Sequence, residues 1–142
     1  MPLPDPRPIA RGFRLDRGDR VRATRALAWL ITATTALRFL PYATVTRAMA
    51  RIPAGRPPIT PAECATAIRR AATIWPARCL PQAIAGYCLL RRGGLAPAVR
   101  LGVALDRRDF AAHAWLECDG VVVTGGDVDR SYAPLARERQ AR

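Results

Sequence analysis

The stretch RCLPQAIAGYCLLRRGGLAPAVRLGVALDRRDFAAHAWLECDGVVVT, Arg78 to Thr124, contains the change of period on which the fold turns. In its first third Leu80, Ile84, Tyr87 and Cys88 stand at i, i+4, i+7 and i+8, the stripe of an amphipathic helix. That helix begins across Cys79-Leu80-Pro81-Gln82, with Cys79 at its N-terminal edge. It ends at Gly93-Gly94, with Arg91 and Arg92 in the last turn where the helix dipole favours cations. Beyond Gly94 the period becomes two. Ala98–Leu105, Phe110–Cys118 and Val121–Thr124 read as strands, with Asp119-Gly120 as a two-residue hairpin turn. Alternation puts Ala111, His113, Trp115 and Glu117 on one face of the second strand and Ala112, Ala114, Leu116 and Cys118 on the other. Helices first and antiparallel strands second is an α+β order.

Toward the N-terminus the clearest helix start is Thr60-Pro61-Ala62-Glu63, an N-cap Thr, Pro at the first helical position and Glu at the third. It predicts a helix from Pro61 to about Ile74, broken by Trp75-Pro76-Ala77-Arg78. Gly55–Pro61 carries three prolines and reads as a linker. Before it, Val21, Leu27, Leu30, Ile31 and Leu37 recur at helical spacings between Arg20 and Leu40, and a shorter helix is expected over Ala43–Ile52. Residues 1–19 hold four prolines among charges and read as a loosely ordered arm. The expected organisation is therefore an arm over 1–19 and one domain over 20–142, whose first part, 20–55, is helical.

A chain of 142 residues is near the common size of a single domain. Its formal charge is +12, and all 23 basic residues are arginine. Such a chain attracts acidic partners, so a basic, non-catalytic nucleic-acid-binding protein is one class to weigh. Against it, no basic run is interleaved with the aromatic residues that stack on bases. Met1–Arg20 lacks the apolar stretch of a signal peptide, and the apolar run 26–37 is shorter than the span of about 20 residues that crosses a bilayer. A cytoplasmic setting with the four cysteines as free thiols is expected.

Two residues carry the candidate chemistry. Cys79 sits where unpaired first-turn amides and the helix dipole favour a thiolate, whereas Cys64, Cys88 and Cys118 fall inside elements and read as core. His113 is the sole histidine and lies on a following strand. A thiol at a helix N-terminus and an imidazole on a neighbouring strand is the arrangement of cysteine hydrolases, with backbone amides as oxyanion donors. Asp119, Asp127 and Asp129 are the carboxylates available to orient the imidazole. Asp119 is wanted by its turn; Asp127, after Gly125-Gly126 and beside the histidine strand, is favoured. Gln82, one turn into the helix, is a weaker oxyanion candidate. No Cys-x-x-Cys or other zinc spacing is present, and no cofactor is called for.

The segments Arg78-Cys79-Leu80-Pro81-Gln82, Arg91-Arg92-Gly93-Gly94 and Ala112-His113-Ala114-Trp115-Leu116-Glu117-Cys118-Asp119-Gly120 resemble the lasso peptide biosynthesis B2 proteins. The fold of that family is similar to the transglutaminase core and to papain-like enzymes. Ser131-Tyr132-Ala133-Pro134-Leu135 looks like the family's C-terminal end, and Arg38-Phe39-Leu40-Pro41 is similar to its helical N-terminal part. The resemblance implies a papain/transglutaminase-like core over about 60–135 and a leader peptidase that cuts a ribosomal precursor peptide, with Cys79 and His113 as catalytic pair. It implies two partners, a separate leader-recognition B1 protein and an ATP-dependent cyclase that closes the macrolactam. The family's Asp lies near the position held here by Thr124-Gly125-Gly126, which makes Asp127 a shifted substitute. A transglutaminase-like acyltransferase with the same Cys and His is the alternative chemistry.

Overall fold

The computed structural model describes residues 16–56, 58–106, 109–125 and 133–134. Four helices come first: α1 (Arg17–Phe39), α2 (Tyr42–Ala50), α3 (Pro61–Ile74) and α4 (Cys79–Arg92). Four strands follow: β1 (Ala98–Asp106), β2 (Asp109–Cys118), β3 (Val121–Thr124) and the two-residue β4 (Ala133–Pro134). They form one antiparallel sheet in the order β3-β2-β1-β4. This is the expected α+β fold.

The helix ends are explained by their caps. Glu63 N–H donates to Thr60 Oγ1 at 3.2 Å and Thr60 N–H donates to Glu63 Oε2 at 2.9 Å, the reciprocal capping box expected at the start of α3. α1 begins three residues earlier than its apolar pattern indicated, because Asp16 accepts from the Arg17 amide at 2.7 Å and serves as N-cap. Arg17 to Asp19 are thus the first helical turn and not part of an arm; residues 1–15 lie outside the described set. At the end of α4, Leu95 N–H donates to Leu90 O at 3.0 Å while Gly94 takes φ +87°, a left-handed termination that glycine supplies without strain. The Asp119-Gly120 turn has φ 51° and 77°, the two positive values of the predicted tight hairpin.

The helices cover one face of the sheet. Leu116 and Cys118 of β2 and Val123 of β3 join Leu30, Ile68, Ala83, Ala85 and Leu90 in the main core, and a second cluster unites Ala33, Val45, Met49, Ile84 and Cys88. α1 contributes the small stripe Ala26, Leu30 and Ala33, whereas Val21 and Ile31, which its periodicity also offered, are exposed at 47% and 37%. Small side chains let α1 lie close against α3 and α4. α1 and α4 run antiparallel: Val21 and Arg25 lie beside Leu89 and Arg92, while Leu37 clusters with Leu80 at the Cys79 end.

Helix and sheet approach closely at Gly86, in the middle of α4. A Cβ there would stand 2.6 Å from Leu116 Cδ2 and 3.6 Å from the Cys64 sulfur, which itself faces Gly86 O at 3.6 Å. Gly86→Ala should therefore destabilise the protein by about 1–3 kcal/mol through overpacking, and Leu116→Ala by about 2–5 kcal/mol through the cavity it leaves. In denaturant titrations the double variant should lose clearly less than the sum, because each change makes room for the other.

Candidate active site

Cys79 is the first residue of α4, preceded by Arg78 at the cap position. Arg78 has no side-chain acceptor to offer, and no side chain caps this helix. The third residue, Pro81, has no amide hydrogen. The amides of Cys79 and Leu80 are therefore the first donors at the mouth of the helix, beside the sulfur. Gln82, half-buried, donates from Nε2 to Ala77 O at 2.7 Å, so its amide pins the 75–78 connection ahead of Cys79 and does not face solvent. Its backbone N–H donates to Arg78 O at 3.3 Å and begins the regular helical ladder.

Of the four cysteines, Cys64, Cys88 and Cys118 are buried and Cys79 is partly exposed; all four are free thiols. Burial pushes the thiols of Cys64 and Cys88 up to about 12. Cys118 is raised as well, by burial first and by the neighbouring Asp119 second. These three stay protonated at neutral pH, which leaves Cys79 as the one partly exposed thiol.

His113 lies on the sheet face that the helices do not cover, and its surroundings explain the spacing His-x-Trp-x-Glu. The rings of His113 and Trp115 stack with centroids 6.2 Å apart at 21°. Trp115 Nε1–H donates to Glu117 Oε1 at 2.8 Å, and the other oxygen of Glu117 accepts from Arg100 Nε at 3.1 Å. Strand register puts Arg100 opposite Trp115 and Gly102 opposite His113, so the three-residue line on β2 is braced by β1. His113 Nε2 lies 2.7 Å from Gly125 O. A carbonyl only accepts, so Nε2 carries the proton of this contact.

Gly125 is required for that contact. It takes φ +111°, and a Cβ on it would lie 2.5 Å from Trp115 Cβ and 3.2 Å from Ala114 O. The main chain turns over Trp115 and presents its carbonyl to the imidazole only because no side chain intervenes. The sequence reading did not anticipate this backbone oxygen at Nε2; the signal available was the Gly125-Gly126 pair directly after β3.

α4 and β2 abut through the Gly86 and Leu116 contact, which brings the elements that carry Cys79 and His113 together. Asp119 is on the hairpin, six residues along from His113 and therefore about 20 Å away along the strand, which suits its turn role alone. Asp127 and Asp129 lie outside the described residues. Among the described residues no group of three or more His, Cys, Asp or Glu gathers at a potential metal site, and no helix is long and apolar enough to cross a membrane.

A thiol at a helix mouth, an oriented imidazole on the adjoining antiparallel sheet and helices ahead of both agree with one family model, whose match runs over residues 26–137. The chain belongs to the transglutaminase-like superfamily. No curated protein and no solved structure matches it. The match begins within α1, so the N-terminal helices are part of the transglutaminase-like unit.

Glu117 is the brace whose pH dependence can be read. Its carboxyl is held below the ordinary 4.5, chiefly by the Trp115 hydrogen bond, with burial opposing and Arg100 assisting. A carboxylate whose folded pKa is depressed stabilises fully above its unfolded pKa, and loses that contribution as the pH falls through the folded one. Glu117→Gln should therefore lower the melting temperature at pH 7, and its difference from the parent protein should shrink toward zero in melts taken well below pH 4.5. Gly125→Ala should lose His113's partner and strain the backbone, costing about 1–3 kcal/mol of stability in denaturant titrations.

Proposed function

We propose that this transglutaminase-like protein is a cysteine endopeptidase that removes the leader from a ribosomally made lasso precursor peptide before macrolactam closure. The observation that supports the reading is that, of the four thiols, only that of Cys79 is partly exposed, at the mouth of a helix that packs against the strand carrying His113. The choice of substrate rests on the motif resemblance around Arg78–Gln82 and Ala112–Gly120.

In the mechanism, His113 takes the Cys79 proton while Gly125 O holds its ring at Nε2. The thiolate attacks the scissile carbonyl, and the amides of Cys79 and Leu80 receive the oxyanion. The imidazolium protonates the departing amine, which frees the core peptide's N-terminus. Water, deprotonated by His113, then attacks the thioester and releases the leader. With Gly125 O orienting the ring, Asp127 is left the electrostatic task of stabilising the imidazolium. The leader is presented by a separate B1 recognition protein, and the freed core passes to an ATP-dependent cyclase.

Cys79→Ala should abolish precursor cleavage in mass spectrometry and leave the circular dichroism spectrum unchanged; a folded variant with parental turnover would end the proposal. A thiol-selective alkylator at low dose should label Cys79 first and inactivate in proportion, since the other thiols are buried. Asp127→Asn should slow single-turnover cleavage by about ten- to a thousandfold with little change in precursor binding, and Asp119→Asn should remain near the parental rate. The same mass spectra distinguish hydrolysis from acyl transfer, because an amine acceptor would leave its own mass on the leader.

A further inference from the structure

At the opposite end of α4 from Cys79 lies a cleft of about 870 Å³, where the first turns of α1, the 56–59 connection and the last turn of α4 converge. Thirteen residues of helix separate Cys79 from Arg92, about 20 Å. Five arginines line the cleft: Arg17, Arg22, Arg25, Arg56 and Arg92. The one carboxylate among the described lining residues, Asp16, accepts from the Arg17 amide as the N-cap of α1.

A neighbouring, smaller cleft shows what balanced charge looks like in this chain. There Arg22 meets Asp19 at 2.9 Å and Glu63 at 3.3 Å, and Arg70 meets Asp19 at 3.6 Å. In the larger cleft, among the described residues, no carboxylate pairs with Arg17, Arg25, Arg56 or Arg92. Gathering like charges without counter-charges costs free energy that folding alone does not return. Between the guanidinium groups the wall is apolar, with Val21 exposed at 47% and Trp29 and Pro58 beside it.

We propose that this cleft docks an acidic peptide segment that also carries apolar side chains. Carboxylates match the planar guanidinium forks, and an apolar side chain between them covers Val21, Trp29 and Pro58. Nucleic acid fits less well: Trp29 is half-buried and the only aromatic in the cleft, so no stacking series is offered to successive bases. The site is independent of the chemistry at Cys79.

The test uses the full chain and fluorescence anisotropy of a short labelled peptide mixing Glu, Asp and Leu. Arg25→Glu combined with Arg92→Glu should weaken binding by about tenfold or more. Arg38→Glu combined with Arg47→Glu, exposed positions outside the cleft with the same change of net charge, should leave it within about twofold. Arg25→Ala with Arg92→Ala repeats the first measurement with a milder change, and circular dichroism checks folding. A Leu-to-Ser version of the peptide should bind more weakly, and Trp29→Phe should remove the emission change on binding. Equal losses from both Glu pairs would reduce the effect to bulk charge and overturn the proposal. So would undiminished binding of the Leu-free peptide, or displacement of the peptide by a single-stranded oligonucleotide at lower concentration.

Discussion

The contact between Gly86 in the middle of α4 and Leu116 in β2 sets the separation of helix and sheet, and the candidate site depends on that separation. With no Cβ on Gly86, the helix lies close enough for Leu116 to reach its backbone and for the Cys64 sulfur to sit against Gly86 O. A larger residue would lift α4 off the strand and carry Cys79 with it. Because interiors are packed to crystal-like density, such a shift is not absorbed locally. The Cys79 end of the helix is thus positioned by packing seven residues away.

On the other face of β2 the same economy of space governs the imidazole. Arg100 holds Glu117, Glu117 holds the Trp115 indole, the indole lies against His113, and Gly125 O fixes the ring nitrogen. Each contact is modest alone, but together they leave the imidazole little freedom to rotate, which is what a general base requires of its support. The motif His-Ala-Trp-Leu-Glu therefore divides its labour by parity: His113, Trp115 and Glu117 build the site, and Ala114 and Leu116 build the core.

Charge is distributed with similar asymmetry. The all-arginine basic content reads in composition as a diffuse surplus, yet in three dimensions some guanidinium groups are neutralised by Asp19, Glu63 and Glu117 while Arg17, Arg25, Arg56 and Arg92 line one cleft with no carboxylate partner among the described residues. The cysteines divide likewise, three withdrawn into the core and one left at a helix mouth. Burial distinguishes residues of identical chemistry.

Much of this was legible in one dimension, because caps and periodicity are local. The Thr60–Glu63 box, the Gly93-Gly94 stop, the Asp119-Gly120 turn and the alternation of β2 each depend on neighbours within a few residues, and the resulting α+β order followed. So did the separation of Cys79 from the other three cysteines, since position within an element predicts burial. The early start of α1 at Arg17 was hidden because its first turn is polar and only Asp16 announces it. The partner of His113 was hidden for a different reason: a backbone carbonyl has no sequence identity, and the chain path that delivers Gly125 O depends on the bulk of Trp115, ten residues earlier. The sequence by itself determined the elements and their order. Only the tertiary structure decided which groups support His113 and which arginines stand together, because contacts between residues distant in the chain are settled by packing and not by local propensity.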